Sequence, residues 1–231
     1  MGKQMADKTI REPLSRERVL AAAVALADAE GVKALTMRRL ATDLGVEAMS
    51  LYFYVPSKEA LLDGVLGTVF AELAAAAPEP AEGEWRTRLR RRFLAARAVM
   101  LRHPWAPGLL TTRGTIPPDV FAYFDWIVGT LLDAGFSHHL AHRAIHAFGS
   151  LPFGFAQEVF SPAAAGGSLD PDTAEADLAA LAEALPHITA MVAHEMHGAG
   201  DPTLGWCDSQ VEFEFTLDLL LDGLDRLRAR R

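Results

Sequence analysis

Cysteine occurs once in the 231 residues, at Cys207, so the chain cannot close a disulfide on itself and suits a reducing compartment. Aromatic residues make up only 8%, and no run reaches eighteen apolar residues, which argues against a membrane-spanning helix. The first residues lack an apolar signal core, so a cytoplasmic protein without a membrane partner is expected. Catalytic motifs are missing as well: there is no phosphate-binding loop, no dinucleotide glycine fingerprint and no nucleophile elbow. His194-Glu195-Met196-His197 approaches the zinc-protease helix motif, but its histidines stand three apart rather than four. Cys207 lies in a Gly-Trp-Cys-Asp loop and is expected to be an inert thiol. No cofactor and no enzyme activity are implied.

Positive charge is also short, with a net charge of -8. The deficit is uneven. Residues 1–60 hold nine Lys or Arg against eight Asp or Glu, and residues 61–231 hold thirteen against twenty-two. The acid thus lies outside the N-terminal quarter. Binding to a polyanion depends on local charge rather than the total.

What is abundant is Ala and Leu in a chain that is 50% hydrophobic, which predicts an all-α protein. The stretch Leu35–Leu62 is the most informative. Thr36 is a good N-cap, and Met37, Leu40, Ala41 and Leu44 recur at helical spacing. Gly45 supplies a left-handed corner. A short helix over about Glu47–Tyr54 carries Met49, Ser50, Tyr52 and Tyr54 and almost no charge; Pro56 ends it, and Ser57 caps the next helix. Two helices around a tight corner, the second with small and aromatic hydrogen-bonding groups, form a helix-turn-helix pattern.

Leu51–Leu62, with its Leu-Tyr and Pro-Ser-Lys-Glu-Ala-Leu-Leu, resembles the signature of the TetR family of bacterial repressors. Leu-Gly-Val-Glu at 44–47 and Leu61-Leu62-Asp63 are similar to its tetracycline-repressor branch. The resemblance covers about Leu14–Phe70. It implies an N-terminal three-helix DNA-binding domain and a larger C-terminal helical domain for effector binding and dimerisation. It also implies that Thr36 and Lys58 grip phosphates, that Arg38 reaches a base edge, and that Ser50, Tyr52 and Tyr54 contact bases or backbone. Ala48 and Met49 depart from the Gln-Pro of the tetracycline repressors, so a different operator is expected. That branch holds its drug as a magnesium chelate. Its metal-binding His would fall near Thr111 here, and only its acidic residue finds a match, at Glu158. The chelate set is incomplete, and tetracycline itself is not the expected effector.

Along the chain, residues 1–13 form a polar arm. Residues 14–76 make the DNA-binding domain with a connector helix over Lys58–Ala76. A Pro-containing boundary precedes residues 84–231. The arginine-rich helix from Trp85 has the charge of a nucleic-acid or anionic-lipid patch, but is expected to be a solvated face balancing the acidic remainder. Helices are further expected over Pro118–Ala134, Ser137–Phe160 (with Pro152 inside), Thr173–Leu185, Pro186–His197 and Gln210–Arg230.

Large apolar groups with a few polar tips suggest a small-molecule pocket made by Met100, His103, Trp105, Leu109, Phe121, Phe124, Phe148, Phe153 and Met191, with Glu158. Phe213, Leu217, Leu220, Leu224 and Leu227 are spaced 4, 3, 4, 3, and Ile145, Phe148, Pro152, Phe155 and Val159 are spaced 3, 4, 3, 4. Two such seams predict a four-helix interface in a homodimer. His138, His142 and His146 repeat every four residues, a spacing that permits metal binding, but such a row is more often a polar stripe with one or two members reaching a pocket, and no metal is assigned. The expected function is a DNA-binding repressor, released from a palindromic operator by an apolar or aromatic effector. The alternative is a helical enzyme or carrier that binds small molecules without DNA.

Overall fold

The computed structural model describes residues 13–78, 84–155, 184–187, 189–191, 194 and 209–229. Among these residues every regular element is helical. The principal helices are α1 (Arg16–Glu30), α2 (Met37–Leu44), α3 (Ala48–Tyr52), α4 (Lys58–Ala76), α5 (Trp85–Arg102), α6 (Ala106–Thr111), α7 (Pro118–Asp133), α8 (His138–Phe155) and α9 (Ser209–Ala229).

The starts follow from side-chain capping. The hydroxyls of Ser15, Thr36 and Ser57 accept from the backbone N–H of Arg18, Arg39 and Ala60 at 3.1, 3.1 and 3.0 Å. Gly45 ends α2 in the left-handed region at φ 66°, and its N–H turns back onto Ala41 and Thr42. This sets the corner between α2 and α3. The helix α3 is shorter than the Glu47–Tyr54 expected, because after Tyr52 the chain turns toward Pro56. Glu158, Val159, His197, Cys207 and positions 173–183 of the helix expected over 173–185 lie outside the described residues.

Buried side chains fall into two clusters. Val19, Leu20, Ala23, Leu35, Leu40, Leu51 and Leu61 belong to the first, between α1, α2, α3 and the start of α4. Leu66, Phe70, Leu89, Phe93, Ile127, Phe148, Phe213 and Leu217 belong to the second, which is larger. The helix α4 serves both, with Leu61 and Val65 in one and Leu66, Val69, Phe70 and Leu73 in the other. Such two-sided burial explains why its sequence is apolar nearly all round.

The arginines of α5 do not form a free basic face. Arg86 pairs with Asp222 at 2.5 Å, and Arg90 pairs with Glu214 at 2.5 Å and Asp218 at 3.2 Å, all on α9. Arg92 is buried, lies 4.3 Å from the Trp126 ring centroid, and donates to the carbonyls of Ala74 and Ala77. Part of the acidic excess thus becomes a ladder joining α5 to the last helix.

Candidate functional site

At the N-terminal end, α2 and α3 present one surface. Met49 is 77% exposed and Phe53 86%, whereas the neighbouring Leu51 is wholly buried and holds α3 on the core. Ser50 and Tyr52 share the exposed side, while Tyr54 is half-buried and meets the Phe53 ring edge-on at 5.1 Å. Ala48 is partly covered against the same core. Phe53 is therefore the aromatic tip that sequence reasoning missed. Its spacing from Met49, four residues on one helical face, was the available signal.

Basic groups flank this surface unequally. Arg38 and Lys58 are exposed and have no acidic partner among the described residues. Arg39 is occupied: Asp43 and Glu30 take its guanidinium at 3.1 and 2.7 Å, and these hydrogen bonds, Asp43's first, raise its pKa. Lys58 opens α4, where free backbone N–H groups and the helix dipole favour an anion. Thr36 sits at the corresponding end of α2 with its oxygen engaged in the cap.

In the larger part, the residues expected to line a pocket divide into three groups. Met100 and Phe148 are fully buried, and Leu109 nearly so. Phe148 stacks on Phe93 at 5.1 Å, Phe124 meets Tyr123 at 5.4 Å, and Phe153 meets Phe70 at 6.1 Å, so these rings belong to one aromatic interior. Phe121 is 59% exposed and Met191 56%, and both face solvent instead. His103 and Trp105 stand at the edge of that interior, at the junction with α1, and their polar atoms turn away from it. There both His103 Nδ1, at 2.7 Å, and the Trp105 indole N–H, at 2.7 Å, meet Asp28 Oδ1. The other His103 nitrogen meets Glu72 of α4 at 3.0 Å. A histidine gripped by two carboxylates donates to both only when both nitrogens carry hydrogen. Hydrogen bonds from Arg102 first, then His103, hold the Glu72 carboxyl below the usual carboxylate range. This clasp ties α1, α4 and the end of α5 together.

One polar group in the aromatic interior stands out. The Tyr123 hydroxyl is buried and has no hydrogen-bond partner among the described residues, and burial pushes its pKa upward, opposed by the charge of Arg92. Thr130, two turns along the same helix, carries a second such hydroxyl. Buried hydroxyls without partners are costly, and native proteins keep few of them.

Most of the seam expected on α9 faces inward. Phe213, Leu217 and Leu224 are buried in the protomer's own core, and Leu220 packs against its edge, so Phe213, Leu217 and Leu224 are not available to a second chain. The outward apolar side chains are Val211, Phe215, Leu219 and Leu227, 58, 62, 56 and 49% exposed. On α8, Ile145 and Phe155 are half-buried and pack on the core. Beside Phe155, an open groove of about 380 Å³ runs along Ala147, Ser150, Leu151 and Gly154. The 4, 3, 4, 3 spacing correctly marked an apolar stripe, but the core took it.

Comparison with known proteins adds the following. The family model described as "Bacterial regulatory proteins, tetR family" matches residues 19–65, and that described as "Tetracyclin repressor-like, C-terminal domain" matches residues 77–228. An HTH-type transcriptional regulator of Saccharopolyspora erythraea is 37% identical over 123 residues, or 53% of this chain. That match spans 51% of the relative, so it covers only about half the relative's length. A solved structure of a possible TetR family transcriptional regulator from Streptomyces coelicolor A3(2) superposes with a TM-score of 0.72 at 31% identity, covering 94% of this chain and all of that one. ActR of Streptomyces coelicolor, solved in complex with (S)-DNPA, superposes with a TM-score of 0.68 at 26% identity over 92% of this chain and 98% of its own.

Proposed function

Because the chain belongs to the TetR family of bacterial regulatory proteins, we propose that it is a ligand-responsive repressor which binds a palindromic DNA operator as a homodimer. The observation that carries the reading is the surface of α2 and α3. It combines exposed Met49, Ser50, Tyr52 and Phe53 with the cations Arg38 and Lys58, which no acidic side chain among the described residues engages. Apolar and aromatic side chains fit thymine methyl groups in a major groove, and arginine fits a guanine edge. The flanking N-termini of α2 and α4 suit backbone phosphates.

In this reading residues 14–76 are the DNA head and residues 84–231 the effector and dimerisation body. Two-fold symmetry places two reading helices about 34 Å apart, one turn of duplex. The outward face of α9 and the groove on α8 form the contact between copies. A small apolar or aromatic effector enters among Tyr123, Phe124, Phe148 and Phe153, and the Tyr123 hydroxyl offers it one hydrogen bond. Its preference for the DNA-incompetent arrangement drives release by population shift. The clasp at His103 is the link by which movement of the body reaches the head. The protein acts in the cytoplasm and catalyses nothing.

Anisotropy titrations on operator and scrambled DNA at several salt concentrations test the DNA surface. Lys58→Ala should weaken binding to every sequence alike and reduce the salt slope by about one unit per lost phosphate contact. Arg38→Ala should cost about 1–3 kcal/mol per half-site and relax the choice of one base pair. Arg39→Ala, removing a cation already engaged by Glu30 and Asp43, should change the salt slope least. An unchanged affinity and slope for Lys58→Ala would mean that another face of the head meets DNA.

A further inference from the structure

Nothing in the proposed function uses the two imidazoles in the middle of α8. His142 and His146 stand one turn apart on its exposed side, away from the aromatic interior. Their Nε2 atoms lie 3.3 Å apart, and their rings meet at 84° with centroids separated by 4.9 Å. Exposed side chains are free to point elsewhere in water, yet these two turn the same nitrogen toward a common point. As a hydrogen bond between the two rings the contact is at the long end of the range. As a chelate it fits. Two imidazole nitrogens bound at about 2.0–2.1 Å to one ion with tetrahedral angles stand about 3.3–3.4 Å apart.

We propose that His142 and His146 form a bidentate site for a late first-row divalent ion of the zinc, nickel or copper type, bound through both Nε2 atoms. Neutral imidazole nitrogen suits these ions, whereas magnesium and calcium require oxygen ligands. Among the described residues no third His, Cys, Asp or Glu completes the set. The row at 138, 142 and 146 therefore supplies two ligands rather than three, and the ion keeps open positions for water or an outside ligand. Bridging one turn of α8 also staples that turn, so the ion stabilises the helix that carries it.

The test uses the full chain, stripped with chelator and titrated with zinc by calorimetry, followed by thermal melting with and without zinc. Wild type should bind at least tenfold more tightly than His142→Ala or His146→Ala and show a zinc-dependent rise in Tm that both variants lose. Both residues are exposed, so the variants should keep the wild-type circular dichroism spectrum. His138→Ala and His139→Ala should bind as wild type does, and magnesium should produce no heat at the same concentrations. If His142→Ala and His146→Ala bind zinc as tightly as wild type, or His138→Ala loses as much as they do, the pair is not the site. DNA affinity is not a readout here, so failure of this proposal leaves the DNA surface untouched.

Discussion

The Tyr123 hydroxyl shows how one atom can separate stability from function. It is buried on α7 with Phe70 and Phe124 around its ring, 5.9 and 5.4 Å away, and it donates to no group among the described residues. Tyr123→Phe removes the orphaned group and keeps the ring. The folded protein without effector should therefore be unchanged or more stable, by up to about 1–3 kcal/mol, the cost of an unsatisfied buried donor. Effector affinity should fall, because the only change is the loss of a hydrogen-bonding atom. Chemical denaturation and effector titration measure the two quantities separately, and a loss of stability would mean that the hydroxyl is already satisfied. Residues of this kind are where sequence reading failed. His103 and Trp105 have the chemistry of pocket residues, but Asp28, 75 and 77 positions away, claims both. No local pattern reports a partner so distant. Thr36, Ser57 and Gly45 were legible because their partners lie within four residues.

Among the elements, α9 states the same lesson in a form that mutation can check. Periodicity predicted a helix over Gln210–Arg230, and the described residues of that stretch, Ser209–Ala229, are helical and carry its apolar stripe. It could not say whether the stripe faces its own core or a second chain, since both are dry and both favour Leu and Phe. Burial decides: Leu217 is inward, while Phe215 and Leu219 are outward. Phe215→Glu should leave the circular dichroism spectrum and Tm near wild type and yield monomers in sedimentation. Leu217→Glu should place an unpaired carboxylate in the core, cost several kcal/mol and give poorly folded material. A folded, unchanged dimer from Phe215→Glu would remove this face of α9 from the interface. The arginine helix α5 was anticipated in part, since a solvated face was expected and Arg92 and Arg97 are buried. Its charges were expected to balance acid, and Glu214, Asp218 and Asp222 of α9 supply that acid, although sequence alone did not show which helix carries the partners.

For the whole molecule, the two cores meet along α4, which must lie close to neighbours on both flanks. Two glycines make the crossings thin. A methyl group at Gly64 would fall 2.7 Å from Leu20 Cδ2 of α1, and one at Gly67 would fall 2.7 Å from an Asp119 carboxylate oxygen of α7. The two obstacles differ in kind. Asp119 is exposed and can swing aside, whereas Leu20 is 5% exposed and wedged in the head. Alanine at 64 therefore acts as a shim a single carbon thick, driven between the connector and the first helix. It should tilt the head without any effector present. Its better helix propensity, worth about 1 kcal/mol over glycine, offsets part of the strain and should keep the fold intact. Gly64→Ala is expected to be a folded dimer with operator affinity lowered tenfold or more and little further response to effector. Gly67→Ala should behave as wild type. Equal operator affinity for both variants would show that head angle is not set at this crossing. If it is set there, the spacing between the two reading helices, and hence which operators the dimer can span, hangs on the absence of one methyl group.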